Sequence, residues 1–372
     1  MGSPLDILIV GGGIGGLTAA IALRARGHAV TVIERDPSWS VYGVGIIQQG
    51  NVIRAMTELG VIDDYLAAGV GFDKVAVHAP DGTLVAQVPS KRLVERYPAN
   101  LGISRPALHE ILGRRAKSGG AEVRLGITPL ALDDDGDGVD VSFSDGTAAR
   151  FDIVVGADGL YSETRAKLFP DAPQPAFTGQ AVWRYNLPRR AGLDALHVYN
   201  GRIGAGLVPM SDALMYMYVT TPEPGNPRYE RDGLASVLRA KLAQHAPDIR
   251  TLAEGIVDDD GVVYRPLETL LVTGPWHKGR IVLLGDAVHA TTPHLGQGAG
   301  MAIEDSLVLA DEVSRHDDPE AAFTAYRERR FDRCRYIVDL SLAICRGQLG
   351  KGPPVDNALA TAEMFQRTAE PI

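Results

Sequence analysis

Residues 5–34 read LDILIVGGGIGGLTAAIALRARGHAVTVIE, and the fold turns on how this stretch is parsed. Leu5–Val10 is a short apolar run ending in glycines, which predicts a buried parallel strand. Gly15–Arg26 carries Leu17, Ala20 and Ile21 at helical spacing and stops at Gly27. Ala29–Ile33 is a second buried strand, closed by Glu34. Strand, glycine turn, helix and strand in about 30 residues make a βαβ unit. Inside it, Gly11-x-Gly13-x-x-Gly16 has the spacing of a dinucleotide fingerprint, with Gly15 in the same turn. The first glycine permits the tight turn, the second lets backbone approach a pyrophosphate, and the third lets helix pack on strand. The helix N-terminus then offers unpaired N–H groups to the phosphates. Glu34 stands where a carboxylate accepts both ribose hydroxyls; a solvated strand end is the other reading. Arg35 either lies over an adenine or is a surface charge. The unit says dinucleotide without saying which.

Composition bounds the rest. The chain has 372 residues, 45% hydrophobic and 22% charged, which suits a soluble protein of two intimately packed domains. A net charge of −9 argues against a sequence-independent grip on nucleic acid or an anionic membrane surface. Cys334 and Cys345 cannot build a disulfide framework and read as buried thiols of one helix, so a reducing cytoplasm is the expected location. No basic region precedes a cleavable apolar stretch, and no run approaches the ~20 apolar residues of a membrane span. Monomer and homodimer are both open.

Beyond residue 34 the pattern alternates between domain types. Val75–Val88 reads as β structure around Asp81-Gly82, and Val139–Phe143 and Ala148–Val155 flank the hairpin signal Asp145-Gly146. Phe177–Val219 is strand-rich, whereas Met301–Val313 and Glu320–Arg346 read as helices. The expected organisation is discontinuous. Residues 1–72, 101–175 and 276–350 form an α/β domain, and residues 73–100 and 176–275 an interleaved, mostly β domain. Residues 351–372 form a peripheral tail. Ligand sites favour such junctions and the carboxyl ends of parallel strands.

Two later segments narrow the dinucleotide. One is Gly156-Ala157-Asp158-Gly159, running on to Arg165. The other is Gly285-Asp286-Ala287, followed by Pro293-His294-Leu295-Gly296-Gln297-Gly298-Ala299-Gly300. In these three ordered motifs the chain resembles the single-component FAD-dependent aromatic hydroxylases of the p-hydroxybenzoate and salicylate hydroxylase type, over about residues 5–345. The resemblance implies a Rossmann-type, glutathione-reductase-like FAD domain with an interleaved β substrate domain. It implies that Asp286 bonds a ribityl hydroxyl, that Gly285 leaves room for the cofactor, and that the glycines around Gly298 start a helix aimed at the flavin N1–C2=O edge. That placement suits the negative charge of reduced flavin. Asp158 and Arg165 are implied to serve FAD and the nicotinamide cofactor; Asp158 fixing its own turn is the alternative. Arg105 matches an arginine set against FAD, or is an ordinary charge near a helix start. Gly45, in Tyr42-Gly43-Val44-Gly45-Ile46, matches a glycine loop beside the isoalloxazine. Gln48-Gln49-Gly50-Asn51 departs from the Pro-Pro-Asn-like run of many relatives, which leaves the loop path open.

On the substrate side, Arg184 in Trp183-Arg184-Tyr185 either pairs with a carboxylate or phenolate or joins a structural ion pair. Tyr216 and Tyr218 alternate with methionines, so the tyrosines share a face. Tyr216 orients a phenol or is a core tyrosine. Pro293 and His294 sit where the family's loop overhangs the ring, and His294 is either a general base or a supporting residue. The chain contains no His-Glu-x-x-His, paired-cysteine zinc pattern, P-loop lysine or Gly-x-Ser-x-Gly elbow, and no metal is expected. The resemblance implies NADH or NADPH as transient reductant, O2 as co-substrate and a small aromatic or heteroaromatic substrate hydroxylated through a flavin C4a-hydroperoxide. No second Gly-x-Gly-x-x-Gly unit serves the nicotinamide. A flavin-dependent reductase on the same fold, without oxygen insertion, is the rival reading.

Overall fold

The computed structural model describes residues 4–372. Its central sheet has six strands, in the order His277–Lys278, Ile281–Leu283, Ile153–Gly156, Asp6–Val10, Ala29–Glu34 and Glu122–Leu125. All neighbours are parallel except the short outer pair. Ile7, Leu8, Ile9, Val154 and Val155 are fully buried, as expected of parallel strands covered on both faces. Helix Ile14–Ala25 packs against Gly298–Arg315, and Thr18 Oγ1 meets Ser306 Oγ at 2.8 Å across the crossing.

This strand order brings the three motifs together. The Gly11 turn, the Ala157-Asp158 turn and the Gly285-Asp286 turn follow the carboxyl ends of three strands adjacent in the sheet, Asp6–Val10, Ile153–Gly156 and Ile281–Leu283. Three segments far apart in the chain thus form one rim, where parallel sheets place ligands.

The run 148–155 is not the single strand its apolar pattern predicts. Ala148–Phe151 pairs antiparallel with Val139–Phe143, and Ile153–Gly156 pairs parallel with Asp6–Val10 in the central sheet. Asp152 lies at the switch, its carboxylate accepting the Asp6 N–H at 2.6 Å.

A seven-stranded sheet runs Val263–Thr269, Ala176–Pro188, Leu214–Pro222, Gly204–Pro209, Leu196–Tyr199, Lys74–His78 and Leu84–Pro89. Its period-2 alternation sorts two faces. Trp183, Tyr185, Leu187, Met215, Met217 and Val219 pack on one side with helices Leu234–Leu242 and Pro247–Ala253. Val75, Val77, Leu196, Val208 and Tyr216 lie on the other, with Ile47 and Phe72. Those two residues belong to a small antiparallel sheet, Gly45–Gln48, Asn100–Ser104 and Gly69–Phe72, set against that face.

The end of the chain is packed into the protein, which corrects the expected peripheral tail. Helix Asn357–Ala369 buries Ala360 and Met364, and Arg54 and Arg333 donate to backbone carbonyls of residues 369–371 at its C-terminal end. Two cations at a helix C-terminus also complement its dipole.

Candidate cofactor cleft and substrate chamber

The glycine turn shows why it tolerates few side chains. Gly11 has φ +109°, and a Cβ there would fall 2.5 Å from the Ala157 carbonyl oxygen, so only glycine lets the first two motif loops meet. A Cβ on Gly16 would fall 1.9 Å from Gly11 O and 3.3 Å from Ile9 Cγ2, so Gly16 closes the turn and lets the helix sit on strand Asp6–Val10, while Gly15 faces Leu284. Gly13, by contrast, has nothing within 4 Å of an added Cβ; it opens on free space above the start of helix Ile14–Ala25. Glu34 accepts the Gly12 N–H and the Asp36 N–H, each at 2.9 Å, which fixes its carboxylate at the strand end beside the turn. Arg35 points outward, exposed.

Two residues that no spacing rule identified complete this end. Trp39 Nε1 donates to Gly12 O at 2.9 Å, and His109 Nε2 lies 3.0 Å from the same oxygen. Their rings meet edge to face at 4.9 Å. Gly12 is thereby pinned through its N–H and its carbonyl together.

Asp158 acts on its own loop. Its carboxylate accepts the Ser162 hydroxyl at 2.5 Å and the Thr164 N–H and hydroxyl at 2.9 Å each. Arg165 is buried and donates to Ala287 O and Leu160 O, both at 2.9 Å. Through these two bonds its guanidinium ties the second motif loop to the third, while its Nε has no partner.

Asp286 is different. Its side chain is accessible although it sits deep in the protein, and no described side chain or N–H bonds its carboxylate. Lost hydration pushes its carboxyl above the usual range, with His289 and Arg105 pulling the other way. Gly285 has φ +65° and donates its N–H to Asp305 Oδ2 at 3.1 Å. Asp305 is itself clamped by His289 Nε2 at 2.5 Å and Arg330 Nε at 2.7 Å. Arg330 also pairs with Glu304, which accepts from Asn51 and Arg333. His289, Asp305 and Cys334 form a group with metal-ligand chemistry. Arg330 already supplies the positive charge there, so the cluster reads as a buried ionic clasp behind the Asp286 turn. Helix Gly298–Arg315 begins at Gly298, as the resemblance implied, three residues before the Met301 start read from the apolar pattern.

Gln49 settles the loop path that the departure from Pro-Pro-Asn left open. Its Nε2 donates to Leu295 O at 2.9 Å, its side chain also meets Gln297, and Gln297 Nε2 donates to Asn51 Oδ1 at 3.1 Å. The loops around Gly45 and Pro293 are thus fastened to each other.

Across the cleft lies the inner face of the seven-stranded sheet. Tyr216 packs on Gly45, where a Cβ would fall 2.0 Å from its ring; the glycine is required by this contact. Tyr216 is buried and its phenol pushed up to about 12, chiefly by burial, against the pull of Arg184 and Arg105. Arg184 is opposite Tyr218 in register and pulled down to about 10 by burial, with Arg105 adding repulsion. Burial likewise lowers Arg105, and Tyr216, Asp286 and Tyr42 oppose this. Among the described residues neither Arg105 nor Arg184 has a salt bridge. At the mouth, the Arg265 guanidinium lies 4.3 Å over the Tyr42 ring and bonds its hydroxyl.

Pro293 and His294 border a cavity beside Tyr218. Both ring nitrogens of His294 have partners. Its Nε2 meets Gln348 Oε1 at 3.1 Å and its Nδ1 meets Thr292 Oγ1 at 2.9 Å. Burial lowers its pKa to about 4. An engaged, neutral imidazole is a wall of the chamber.

The cleft fits an FAD. An uncrowded helix N-terminus, a strand-end carboxylate and an accessible, unpartnered carboxylate lie along one rim, facing two unpaired guanidiniums. Comparison with known proteins decides the family, since the family described as "FAD binding domain" matches residues 4–341. The chain belongs to it. It is 34% identical to "Putative FAD-dependent monooxygenase YetM" of Bacillus subtilis, over 94% of this chain and 95% of that protein. It is 33% identical to "Aurachin C monooxygenase/isomerase" of Stigmatella aurantiaca, over 94% and 91% of the two chains. Among solved structures, Klebsiella pneumoniae HpxO complexed with FAD and uric acid superposes with a TM-score of 0.82, at 28% identity, covering 98% of this chain and 92% of that one. The likeness to single-component FAD-dependent aromatic hydroxylases therefore extends over the whole fold. Among the described residues no helix is long and apolar enough to cross a membrane.

Proposed function

We propose that the chain is a monooxygenase that hydroxylates a small aromatic or heteroaromatic compound carrying an ionisable oxygen, using O2 and NADH or NADPH. The observation that carries this reading is Arg184, a half-buried guanidinium without a carboxylate partner, opposite Tyr218 in register on the face that carries Tyr216. An unpaired cation away from water is costly, and an anionic ligand oxygen relieves the cost. A phenolate or enolate held there is also a more electron-rich ring.

FAD, when bound, supplies the redox chemistry: it accepts hydride from the nicotinamide and activates O2 for transfer to the ring. The chain's own residues bind and shield. In this reading Gly13 and the N-terminus of Ile14–Ala25 receive the pyrophosphate, with Glu34 and Arg35 at the adenosine. Asp286 takes a ribityl hydroxyl, and Gly285, Gly298, Arg105 and Gly45 surround the flavin ring. Asp158, with Gly11, Gly15 and Gly16, holds the loops that make this possible. Arg184 draws the anionic oxygen into place, and Tyr216 orients it through a hydroxyl that burial keeps protonated. Pro293 and His294 exclude water over the ring, which limits loss of oxidising equivalents as H2O2.

The division into a cofactor domain (1–72, 101–175, 276–350) and a substrate domain (73–100, 176–275) follows the same proposal, with a cytoplasmic location and a monomer or homodimer as the working unit. The test is substrate-stimulated NAD(P)H oxidation under 18O2. Label in a hydroxylated product supports the reading, whereas stimulated oxidation with an unlabelled, dehydrogenated product favours hydride transfer without oxygen insertion.

A further inference from the structure

Trp39 sits where local backbone preference would not put it. Its backbone is left-handed, with φ +49°, a region that disfavours a residue with a Cβ. Two glycines make room for its ring. A Cβ on Gly12 would fall 2.6 Å from Trp39 Nε1, and one on Gly113 would fall 3.0 Å from Trp39 Cη2. Gly113 is a buried interior residue of helix Arg105–Ser118, a place where glycine weakens the helix itself. Neither feature serves its own segment, and the contact that the indole makes explains both.

That contact is with one carbonyl. Trp39 Nε1 donates to Gly12 O at 2.9 Å. His109 Nε2 lies 3.0 Å from the same oxygen, and because a carbonyl only accepts, the imidazole proton sits on Nε2. Further bonds close a circuit around the turn. Gly12 N–H and Asp36 N–H donate to the two oxygens of Glu34, and Trp39 N–H donates to Asp36 O. A trans peptide is planar, with its C=O and N–H on opposite edges. Two donors on the Gly12 carbonyl therefore turn the Gly13 N–H the other way, where no described group accepts it.

A peptide between two glycines meets little steric resistance to flipping. Flipped, this one would offer an anion a carbonyl oxygen in place of an N–H. We propose that Trp39 and His109 are positioning residues for the cofactor: together they lock the Gly12–Gly13 peptide so that the Gly13 N–H is aimed at the FAD pyrophosphate. Two donors on the carbonyl also polarise that N–H as a donor. The inference rests on the pyrophosphate placement proposed above, and adds the pair that makes the turn competent before the cofactor arrives.

The test titrates deflavinated protein with FAD. ADP serves as a competitor that carries the pyrophosphate without the flavin, and adenosine as one that lacks both. His109→Leu removes a donor but keeps an apolar side chain, whereas His109→Gln keeps an N–H within reach of the same oxygen. Trp39→Phe removes the indole N–H. Loss of one such bond should raise the FAD and ADP dissociation constants about 2- to 10-fold. Adenosine binding should not change, and His109→Gln should stay within about twofold of wild type. In the Trp39→Phe, His109→Leu double variant the rise should exceed the product of the single rises, because the flipped peptide populates only when both donors are gone. If Trp39→Phe folds poorly, the two His109 variants decide alone. Native FAD affinity in the double variant, equal losses in His109→Leu and His109→Gln, or an equal loss for adenosine overturns the inference. Gly13→Asp judges the pyrophosphate placement separately, since aspartate is a favoured helix N-cap and sets a negative charge in the open space there. Native FAD affinity in Gly13→Asp rejects that placement, and the inference with it. Lost affinity there, with native affinity in the double variant, keeps the placement and rejects the lock.

Discussion

Asp286→Ala separates cofactor binding from folding because its two effects have opposite sign. In the folded chain this carboxylate lacks a hydrogen-bond donor, and lost hydration raises its pKa. Removing it should therefore not destabilise the apoprotein; the lost attraction to Arg105 offsets part of the gain. A carboxyl whose folded pKa lies above its unfolded value binds protons more tightly when folded. Its contribution to apoprotein stability falls as pH climbs from the ordinary carboxylate value through the raised one. The alanine variant should lack that component of the slope. Binding should move the other way. A hydrogen bond from a ribityl hydroxyl to a carboxylate contributes about 1.5–3 kcal/mol, so the FAD dissociation constant should rise roughly 10- to 150-fold. The assays are titration of deflavinated protein with FAD, followed by flavin fluorescence, and thermal melting of the same apoprotein across pH 4–8. A variant that binds FAD with native affinity refutes the placement of Asp286 at the ribityl chain. A variant whose apoprotein melts far below wild type refutes the claim that the carboxylate is unpartnered.

Three further perturbations test the remaining contacts. Gly45→Val should cost about 1–3 kcal/mol in chemical denaturation, the usual penalty for overpacking, and should raise H2O2 release per NAD(P)H by displacing Tyr216; a variant with native stability and coupling contradicts the close contact. Because burial holds His294 at about 4 with both nitrogens engaged, kcat should show no inflection from this residue between pH 5 and 8, and His294→Gln should leave the pH profile unchanged in shape. An inflection that disappears in the variant would restore the base role. Arg330→Met removes the cation shared by two buried carboxylates, leaving Glu304 to Arg333 and Asp305 to His289, and should destabilise by about 3–5 kcal/mol, with FAD retention falling as the acceptor of the Gly285 N–H loosens; native melting would show that the clasp is not needed.

What could be read from the sequence follows the range over which each requirement acts. Gly11 and Gly13 were legible because a tight turn and an open helix start are decided within a few residues, whereas Asp286 was singled out by the family resemblance. Adjacency of the three motifs was carried by the family resemblance, since strand order is not a local property. Asp152 shows the limit of periodicity: apolar residues continue past it, but the backbone leaves one sheet and joins another. Arg165 and His294 show a second limit. Each lies in the segment where a functional residue was expected, yet what each can do is set by partners the chain delivers from elsewhere: Ala287 O, 122 residues on, for the arginine and Gln348, 54 residues on, for the histidine. Trp39 and His109 are the converse. Neither sits in a motif, yet both converge on the Gly12 carbonyl from 27 and 97 residues away. The C-terminal helix completes the pattern, for an amphipathic stretch states that one face is covered without stating by what. Here that face lines the cavity beside Val75 and Leu196 through Asn357, Thr361 and Met364, so the segment with least motif content reaches the chamber.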